Sequence, residues 1–450
     1  MTWRWTAVAL AACLALLSAA YRTQQSRARS RPESPAAQAP GAVAEHRFRL
    51  ERDGEAGLKL RAFAPGTSWR EPRAEAAVLR IEVDGRYSQH VTLFRGAVEH
   101  EYRLLLGRLA AGEHRVRARL DRRLSSPGAR GFHASFEVEP FVAESPEYEA
   151  IRRAPVLTAR PNTLGRATDV PLLAYYEWLP VPAGAPARAT HLLQYTWIFS
   201  NEDGGTNTPA LMARWGRTVD TEYVYYALLD DASLTVGEIF QGVGHKDTAF
   251  RGRRVGDHPL LGIESDNNNF VDRPTSPVRF ALWPERADLT GRSRESLLDR
   301  RPWIYRVMSE ELEREGKLNL IADPRRFLYI EADIRVAGAA ASFGVRLKNG
   351  DIHRSDRNDA GLRIDRSGWV RSALELPAGA AAGDIAELLY NCDQRAKPQP
   401  GFTGEPRCAV EAIPALFMLD DDYRPRAPRT VRSGLPASVG VGSSARLQPE

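Results

Sequence analysis

Short runs in which apolar and polar residues alternate dominate this chain of 450 residues. Alternation with a period of two puts one apolar face on a β-strand, and Gly, Pro, Asn and Asp separate most of the runs. The pattern is clear in residues 77–83, 88–94, 192–201, 221–229 and 327–336. It predicts a mainly β protein.

The first part of the chain, residues 46–147, contains alternating runs at the spacing of an immunoglobulin-like β-sandwich. Turn signals such as Asp84-Gly85 separate the runs. Residues 109–118, Leu-Ala-Ala-Gly-Glu-His-Arg-Val-Arg-Ala, resemble the penultimate-strand signature of many secreted immunoglobulin-like modules. That resemblance implies a fold, and a sandwich does not specify a function.

The rest of the chain predicts a larger β-rich region, sandwich-like or jelly-roll-like, with one substantial helix. Residues 148–290 form a central β domain in which 210–215 is interpreted as a strand. Residues 291–422 combine β runs with a helix near 302–315, where Pro302 suits the first turn and Gly316 suits the C-terminal cap. Residues 423–450 are rich in Arg, Pro, Ser and Gly and are expected to be disordered.

The N-terminal segment and the cysteines indicate export. Residues 1–20 contain an apolar run that ends in small residues, which is typical of a signal peptide; an uncleaved membrane anchor is the alternative. Residues 21–45 are expected to be a disordered linker. Cys392 and Cys408 flank a Pro/Gly-rich loop and are predicted to form a disulfide, which suits a periplasmic, cell-envelope or extracellular protein. Membrane contact is expected only through the possible anchor.

The charge pattern argues against a nucleic-acid partner. The formal net charge is +5, but the 62 basic residues are interleaved with 57 acidic ones. A surface that follows a phosphate backbone concentrates its basic residues on one element. No nucleic-acid binding is therefore expected.

Standard catalytic signatures are absent from the sequence, including the P-loop, His-Glu-x-x-His and the Gly-x-Ser-x-Gly elbow. The most polar stretch is the central one, and it contains Asp220 and Glu222 on one face of a predicted strand. Such a pair can bind a hard cation or act as an acid and a base. Alternatively, Asp220 caps a turn and Glu222 pairs with an Arg from residues 214–217.

Further carboxylates, carboxamides and imidazoles lie in the loops around this strand. They suit a cation such as Ca²⁺ or Mg²⁺, or the hydroxyl groups of a sugar, although each also suits a turn or a solvated loop. The predicted ligand-binding residues are Asp220, Glu222, Glu264, Asp266, Asn268, Glu202 and Asp203. The predicted metal ligands are Asp220, Glu222, Asp266, His245 and His258.

Three aromatic residues, Tyr195, Trp197 and Phe199, share one face of the preceding strand. A stripe of this kind usually packs in the core, and we expect it to do so here. The alternative is a platform on which sugars stack, which needs exposed rings.

The strand Tyr195-x-Trp197-x-Phe199, followed by Asp220-x-Glu222-x-Val224, resembles the central region of secreted necrosis-inducing-type proteins and the related vacuolar-sorting-type β-sandwich family. The resemblance implies a divalent-cation site that recognises membrane glycolipid headgroups. Thr221 stands where that family has Trp, and its histidines have no counterpart before Asp220, so toxin activity is not carried over. The central segment is also similar to uncharacterised secreted bacterial proteins.

These observations favour an exported protein that recognises a glycan or a lipid headgroup, with or without a divalent cation, through the polar central site. Two other functions stay open. A polysaccharide hydrolase or lyase would use two of the carboxylates as acid and base. A structural or assembly protein would use them only to pair with Arg.

Overall fold

The computed structural model of the protein describes residues 41–160, 170–202 and 207–450. The predicted signal peptide or anchor, most of the predicted linker, and Asp203 lie outside these residues. The linker prediction is wrong at its end, because β1 already begins at Val43, where its backbone pairs with Arg119 of a neighbouring strand. The mainly β fold class is confirmed.

The first strands form a sandwich of two antiparallel sheets. One sheet has the order β1-β6-β3-β4, and the other has the order β5-β2-β7. Asp84 and Gly85, at φ 50° and 77°, make the left-handed two-residue turn between β3 and β4. The strands are β1 (Val43–Leu50), β2 (Gly54–Phe63), β3 (Val78–Val83), β4 (Arg86–Thr92), β5 (His100–Leu109), β6 (Gly112–Leu120) and β7 (His133–Phe141).

The described residues of the central region form two sheets and two helices. One sheet has the order β13-β12-β11-β10-β9-β18, and the other has the order β14-β15-β8-β17, with β16 paired to β15. The elements are α1 (Tyr148–Ile151), β8 (Val156–Thr158), β9 (Pro171–Leu179), β10 (His191–Phe199), α2 (Thr208–Trp215), β11 (Asp220–Leu229), β12 (Thr235–Gly242), β13 (Lys246–Ala249), β14 (Arg254–Val255), β15 (His258–Ile263), β16 (Phe270–Val271), β17 (Arg279–Phe280) and β18 (Glu285–Arg286).

The C-terminal region begins with a helix and continues as one large sheet. The sheet has the order β21-β20-β23-β27-β25-β24-β19-β22, with β26 paired to β24. The elements are α3 (Pro302–Arg314), β19 (Phe327–Ala337), β20 (Ala340–Leu347), β21 (Ile352–Arg354), β22 (Gly368–Glu375), β23 (Ile385–Asp393), β24 (Arg407–Leu419), β25 (Pro425–Ser433), β26 (Ala437–Gly440) and β27 (Ser443–Pro449). Short 3-10 turns occupy Arg294–Arg300, Lys317–Asn319, Pro324–Arg326, Ala360–Leu362 and Ala382–Asp384.

Helix α3 confirms the predicted substantial helix. Pro302 occupies its first turn, and Gly316 follows its end with a left-handed φ of 67°. The stripe formed by Ile304, Met308 and Leu312 is buried, as its helical spacing predicts. None of the helices in the described part of the chain has the length and apolar character needed to span a membrane.

The strand predicted at residues 210–215 is wrong, because this segment forms α2. The Asn207 side chain caps the helix by accepting a hydrogen bond from Ala210 N at 2.9 Å. Gly216 ends the helix at φ 62° and donates to the carbonyl of Met212. The helix packs Ala210 and Ala213 against Leu362 of the C-terminal region.

The disorder predicted for residues 423–450 is also wrong, because the segment forms β25, β26 and β27. Few of its side chains are apolar, but Val431 and Leu447 are buried in the C-terminal core. The Tyr423 hydroxyl donates to Ser309 Oγ at 2.8 Å, which anchors the start of the segment to α3. Backbone pairing with β23 and β24 supplies the order that the side-chain pattern does not reveal.

The predicted disulfide between Cys392 and Cys408 is confirmed. It joins the end of β23 to the start of β24, with 5.5 Å between the two Cα atoms. Both cysteines are buried in the C-terminal core. The disulfide closes the loop of residues 394–406.

The sandwich is completed by a segment from much later in the chain. Leu105 N donates to Ala281 O at 2.7 Å, and Trp283 N donates to Arg103 O at 3.1 Å, so residues 281–283 pair with the edge of β5. The Trp283 ring lies against Gly57, where a Cβ atom would be 2.6 Å from Trp283 Cε3. One hydrophobic core therefore runs from the sandwich into the central region. The predicted boundaries at residues 147 and 290 stay predictions.

Candidate functional site

Three segments from the two sheets of the central region converge at one place. They are the start of β11, the turn between β12 and β13, and the turn between β15 and β16. Behind them lies the aromatic stripe of Tyr195, Trp197 and Phe199, whose side chains are all buried. The prediction that this stripe is core is confirmed, because buried rings offer no surface on which a sugar can stack.

Asp220 is the first residue of β11 and is fully buried. Its Oδ1 accepts a hydrogen bond from Thr221 N at 2.8 Å, and its Oδ2 accepts one from Asn268 Nδ2 at 2.9 Å. Burial and the neighbouring Glu222 carboxylate raise its pKa well above the usual range, although Arg217 acts in the opposite direction. Asp220 therefore holds the Asn268 turn against β11 and does not face the solvent.

Glu222 is the more accessible carboxylate of the pair, with 12% of its side chain exposed. It accepts a hydrogen bond from Gln241 Nε2, and its Oε2 lies 3.7 Å from His245 Nδ1. The interaction with Glu222 raises the pKa of His245, and the charges of Asp220 and Glu202 act in the same direction. Glu222 and His245 therefore form the open part of the site, and half of the His245 side chain is exposed.

Asn267, Asn268 and Asn269 form a run of three asparagines, the Asn run, in the turn between β15 and β16. This turn and the turn that carries His245 both adopt left-handed backbone at a residue other than glycine. His245 has φ 57° and Asn268 has φ 44°. Asn269 Oδ1 accepts a hydrogen bond from Gly244 N at 2.9 Å, which ties the two turns together, and Asn267 Nδ2 lies 2.8 Å from His245 Nε2. Such conformations cost free energy and concentrate at functional sites. In this protein the two left-handed turns bring the side chains of His245 and Asn267 into contact.

Asp220 also belongs to a network of buried charged residues centred on Arg217. The Arg217 guanidinium lies 4.0 Å from Asp220 Oδ1, 3.9 Å from Glu202 Oε2 and 3.2 Å from Glu295 Oε1. Burial opposes ionisation of Glu295, but Arg217 and Arg294 outweigh it and hold the pKa of that carboxyl below its usual range. The predicted alternative pairs Glu222 with an Arg of residues 214–217. This pairing is wrong, because Arg217 contacts Asp220, Glu202 and Glu295 instead.

Two predicted site residues, Glu264 and Asp266, lie on the turn between β15 and β16 but outside the cluster of Glu222, Gln241, His245 and Asn267. Glu264 is exposed and pairs with Arg273 at 3.1 Å. Asp266 has 65% of its side chain exposed and pairs with Arg160 at 2.7 Å. Both follow the end of β15 at Ile263, where strand alternation no longer decides the direction of a side chain. Each acid is paired with an arginine outside the cluster, and the predicted role of Glu264 and Asp266 in ligand binding stays a prediction.

His258 is also outside the cluster. It is buried at the junction with the sandwich, where its Nδ1 lies 2.9 Å from Ala154 O and its Nε2 lies 3.2 Å from Glu55 Oε2. Because both ring nitrogens are engaged there, its predicted role as a metal ligand beside Asp220 is wrong. His258 instead connects the central region to β2.

The described residues contain no group of three or more His, Cys, Asp or Glu side chains arranged to hold a metal ion. The cluster is rich in carboxamide instead. Gln241 and Asn267 contact the two residues, Glu222 and His245, that would otherwise serve as ligands. Sequence reasoning missed Gln241 and Glu295, because they lie on neighbouring elements and belong to no motif.

Comparison with protein-family profiles and with curated proteins gave no match. Among solved structures, one similar chain is a family two carbohydrate esterase from Clostridium thermocellum in complex with cellohexaose. The two are 16% identical, and the match covers 29% of this chain and 33% of the esterase chain, with a TM-score of 0.15. A TM-score this low does not establish a shared fold. The resemblance to the necrosis-inducing and vacuolar-sorting-type family stays a prediction.

Proposed function

We propose that the cluster of Glu222, Gln241, His245 and Asn267 recognises a hydroxyl-rich ligand, either a glycan or a lipid headgroup. The observation that carries the proposal is the convergence of a carboxylate, two carboxamides and an imidazole at one partly exposed place. Together these groups donate and accept hydrogen bonds in several directions, which suits neighbouring sugar hydroxyls. The left-handed turns and the buried Arg217 network hold them in position before a ligand arrives.

The burial of Asp220 supports recognition over hydrolysis. A carboxyl that serves as general acid must come within hydrogen-bond reach of the bond that breaks. Asp220 is fully buried, and both of its oxygens accept hydrogen bonds from the protein. A paired-carboxylate mechanism with Glu222 would need Asp220 to leave that position.

The proposal is tested by calorimetric titration of the full chain with a panel of oligosaccharides and with vesicles that carry glycolipid headgroups. We expect binding that Glu222→Gln and His245→Gln each weaken by about tenfold or more, since each removes a charged hydrogen-bonding partner. The matched control is Glu264→Gln, which changes an exposed acid on the adjacent turn outside the cluster. Equal loss in the control variant, or binding unchanged in both cluster variants, contradicts the proposal.

A divalent cation at this site stays a prediction. Titration with Ca²⁺, Mg²⁺ and Mn²⁺ in the absence of other ligands tests it directly. Heat of binding that disappears in the Glu222→Gln variant would support a cation. Ligand binding that persists in excess chelator would show that recognition proceeds without one.

We also propose that the protein acts outside the cytoplasm, in the periplasm, cell envelope or extracellular space. The buried disulfide between Cys392 and Cys408 supports this, since disulfides persist in oxidising compartments. Fractionation of producing cells, with detection of the chain in each fraction, checks the location. Recovery only in the cytoplasm, with both cysteines reactive to a thiol reagent after denaturation, contradicts it.

A further inference from the structure

A second concave site lies between the sandwich and the central region, away from the Glu222 cluster. It is a cavity of about 530 Å³, lined by β4 and β5 on one side and by residues near β14, β15 and β17 on the other. This volume is in the range of sites that hold small organic ligands, and such sites are frequent where two regions of a chain meet.

The floor of this cavity is apolar and the rim is basic. Leu105, Val156 and Ala281 are among the buried apolar residues that line it. Three arginines also line it, and they come from both regions: Arg86, Arg108 and Arg279.

None of these arginines has a carboxylate partner in the described part of the chain. Arg108 donates to the Tyr148 hydroxyl at 3.2 Å, and the Arg279 guanidinium lies over the ring of Tyr87. The one acid in the lining, Asp84, is already bound to His114 at 2.7 Å. The rim therefore carries positive charge that the protein does not neutralise.

The histidine that lines the cavity, His258, does not offset this positive charge. His258 lines the cavity, but its ring nitrogens are engaged by Ala154 O and by the Glu55 carboxylate behind it. The His258 ring thus serves as a wall. The guanidinium groups at the rim are the charged donors that line the cavity.

We propose that this cavity binds a small amphipathic anion, with an acidic head at Arg86, Arg108 and Arg279 and an apolar body on the floor. Guanidinium groups bind carboxylate, sulfate and phosphate through paired, charge-assisted hydrogen bonds. Because the cavity wall comes from both regions, a bound ligand would also fix the sandwich against the central region and raise the melting temperature.

The test uses laurate, below its micelle concentration, as the probe in calorimetric titration of the full chain. We expect a stoichiometry of one, weaker binding in higher salt, and about tenfold weaker binding in each of Arg86→Gln, Arg108→Gln and Arg279→Gln. Dodecanol, which keeps the chain and lacks the charge, should bind more weakly than laurate. Glucuronate, which keeps the charge and lacks the apolar body, should also bind more weakly.

The control is Arg47→Gln, which alters an exposed arginine on β1 that does not line the cavity. Ser88→Trp places a large ring in the cavity wall and should abolish binding; if that variant does not fold, the three exchanges to Gln decide the matter. The proposal is overturned if laurate does not bind. It is also overturned if dodecanol binds equally well, or if Arg47→Gln weakens binding as much as the rim variants do.

Discussion

The pairing of Glu222 with His245 makes a prediction about the ionisation of a single histidine. His245 has a raised pKa because Glu222 lies beside it, so Glu222→Gln should lower that pKa. The glutamine retains the shape of the side chain and removes only the charge. The raised pKa of His245 contributes its full stabilisation at a pH below the histidine pKa of the unfolded chain. This stabilisation is lost as the pH rises through the raised pKa of the folded state.

The size of the effect follows from the distance and the exposure. The two side chains approach to 3.7 Å, and half of the His245 side chain is exposed. With the dielectric constant of water, two unit charges at that separation attract by about 1 kcal/mol. Solvent screening makes the higher values of a protein interior inapplicable here. We therefore expect Glu222→Gln to remove about 1 kcal/mol of the preference for protonated His245.

The assay is an NMR titration of the histidine ring resonances in the full chain, with His245 assigned from the signal that His245→Gln removes. His114 is the internal control, because its own pKa is raised by Asp84, which lies 2.7 Å away in the sandwich and outside the cluster. Its titration should be the same in both proteins. A wild-type His245 with an ordinary or lowered pKa would refute the reasoning, as would a pKa that Glu222→Gln leaves unchanged.

Three further predictions concern stability. Because the pKa of Asp220 is raised in the folded protein, the free energy of unfolding should fall as the pH rises above the ordinary Asp range, by up to about 1.4 kcal/mol per pH unit. Asp220→Asn should flatten this decline, which thermal melts between about pH 4 and pH 8 would measure. Gly216→Ala should destabilise the fold by about 2 kcal/mol or more, because residue 216 is left-handed and a Cβ there would lie 2.6 Å from Arg371 Cγ; urea unfolding measures the loss. Cys408→Ser should cost about 3 kcal/mol in urea unfolding, and Cys392→Ser added to it should cost little more, since both remove the same disulfide.

The strands were predictable because alternation of apolar and polar residues is a local property of the chain. The same reasoning failed for α2, where the apolar run of residues 210–215 is too short to show a helical period and the signals lie in its caps, Asn207 and Gly216. It failed again for residues 423–450, where order comes from backbone pairing with β23 and β24. Patterns of side chains carry little information about such pairing.

The candidate site was predictable only in part. Asp220, Glu222 and the Asn run meet as their density suggested, and His245 joins them from a neighbouring turn. Asp266 follows the end of β15, so its direction depends on the turn and not on strand alternation. His258 was misplaced because its partner, Glu55, is distant in sequence, and no local pattern connects the two.

The pairing of residues 281–283 with β5 has a consequence for how this chain can be divided. A protein cut after residue 147 would retain every strand of the sandwich but would lose the segment that covers the edge of β5. The place of the Trp283 ring against Gly57 would stay empty. Transplanting the sandwich into another protein would therefore require a copy of residues 281–283, joined to it in trans or by a new linker. In this sense the N-terminal module is encoded in two separated parts of the sequence.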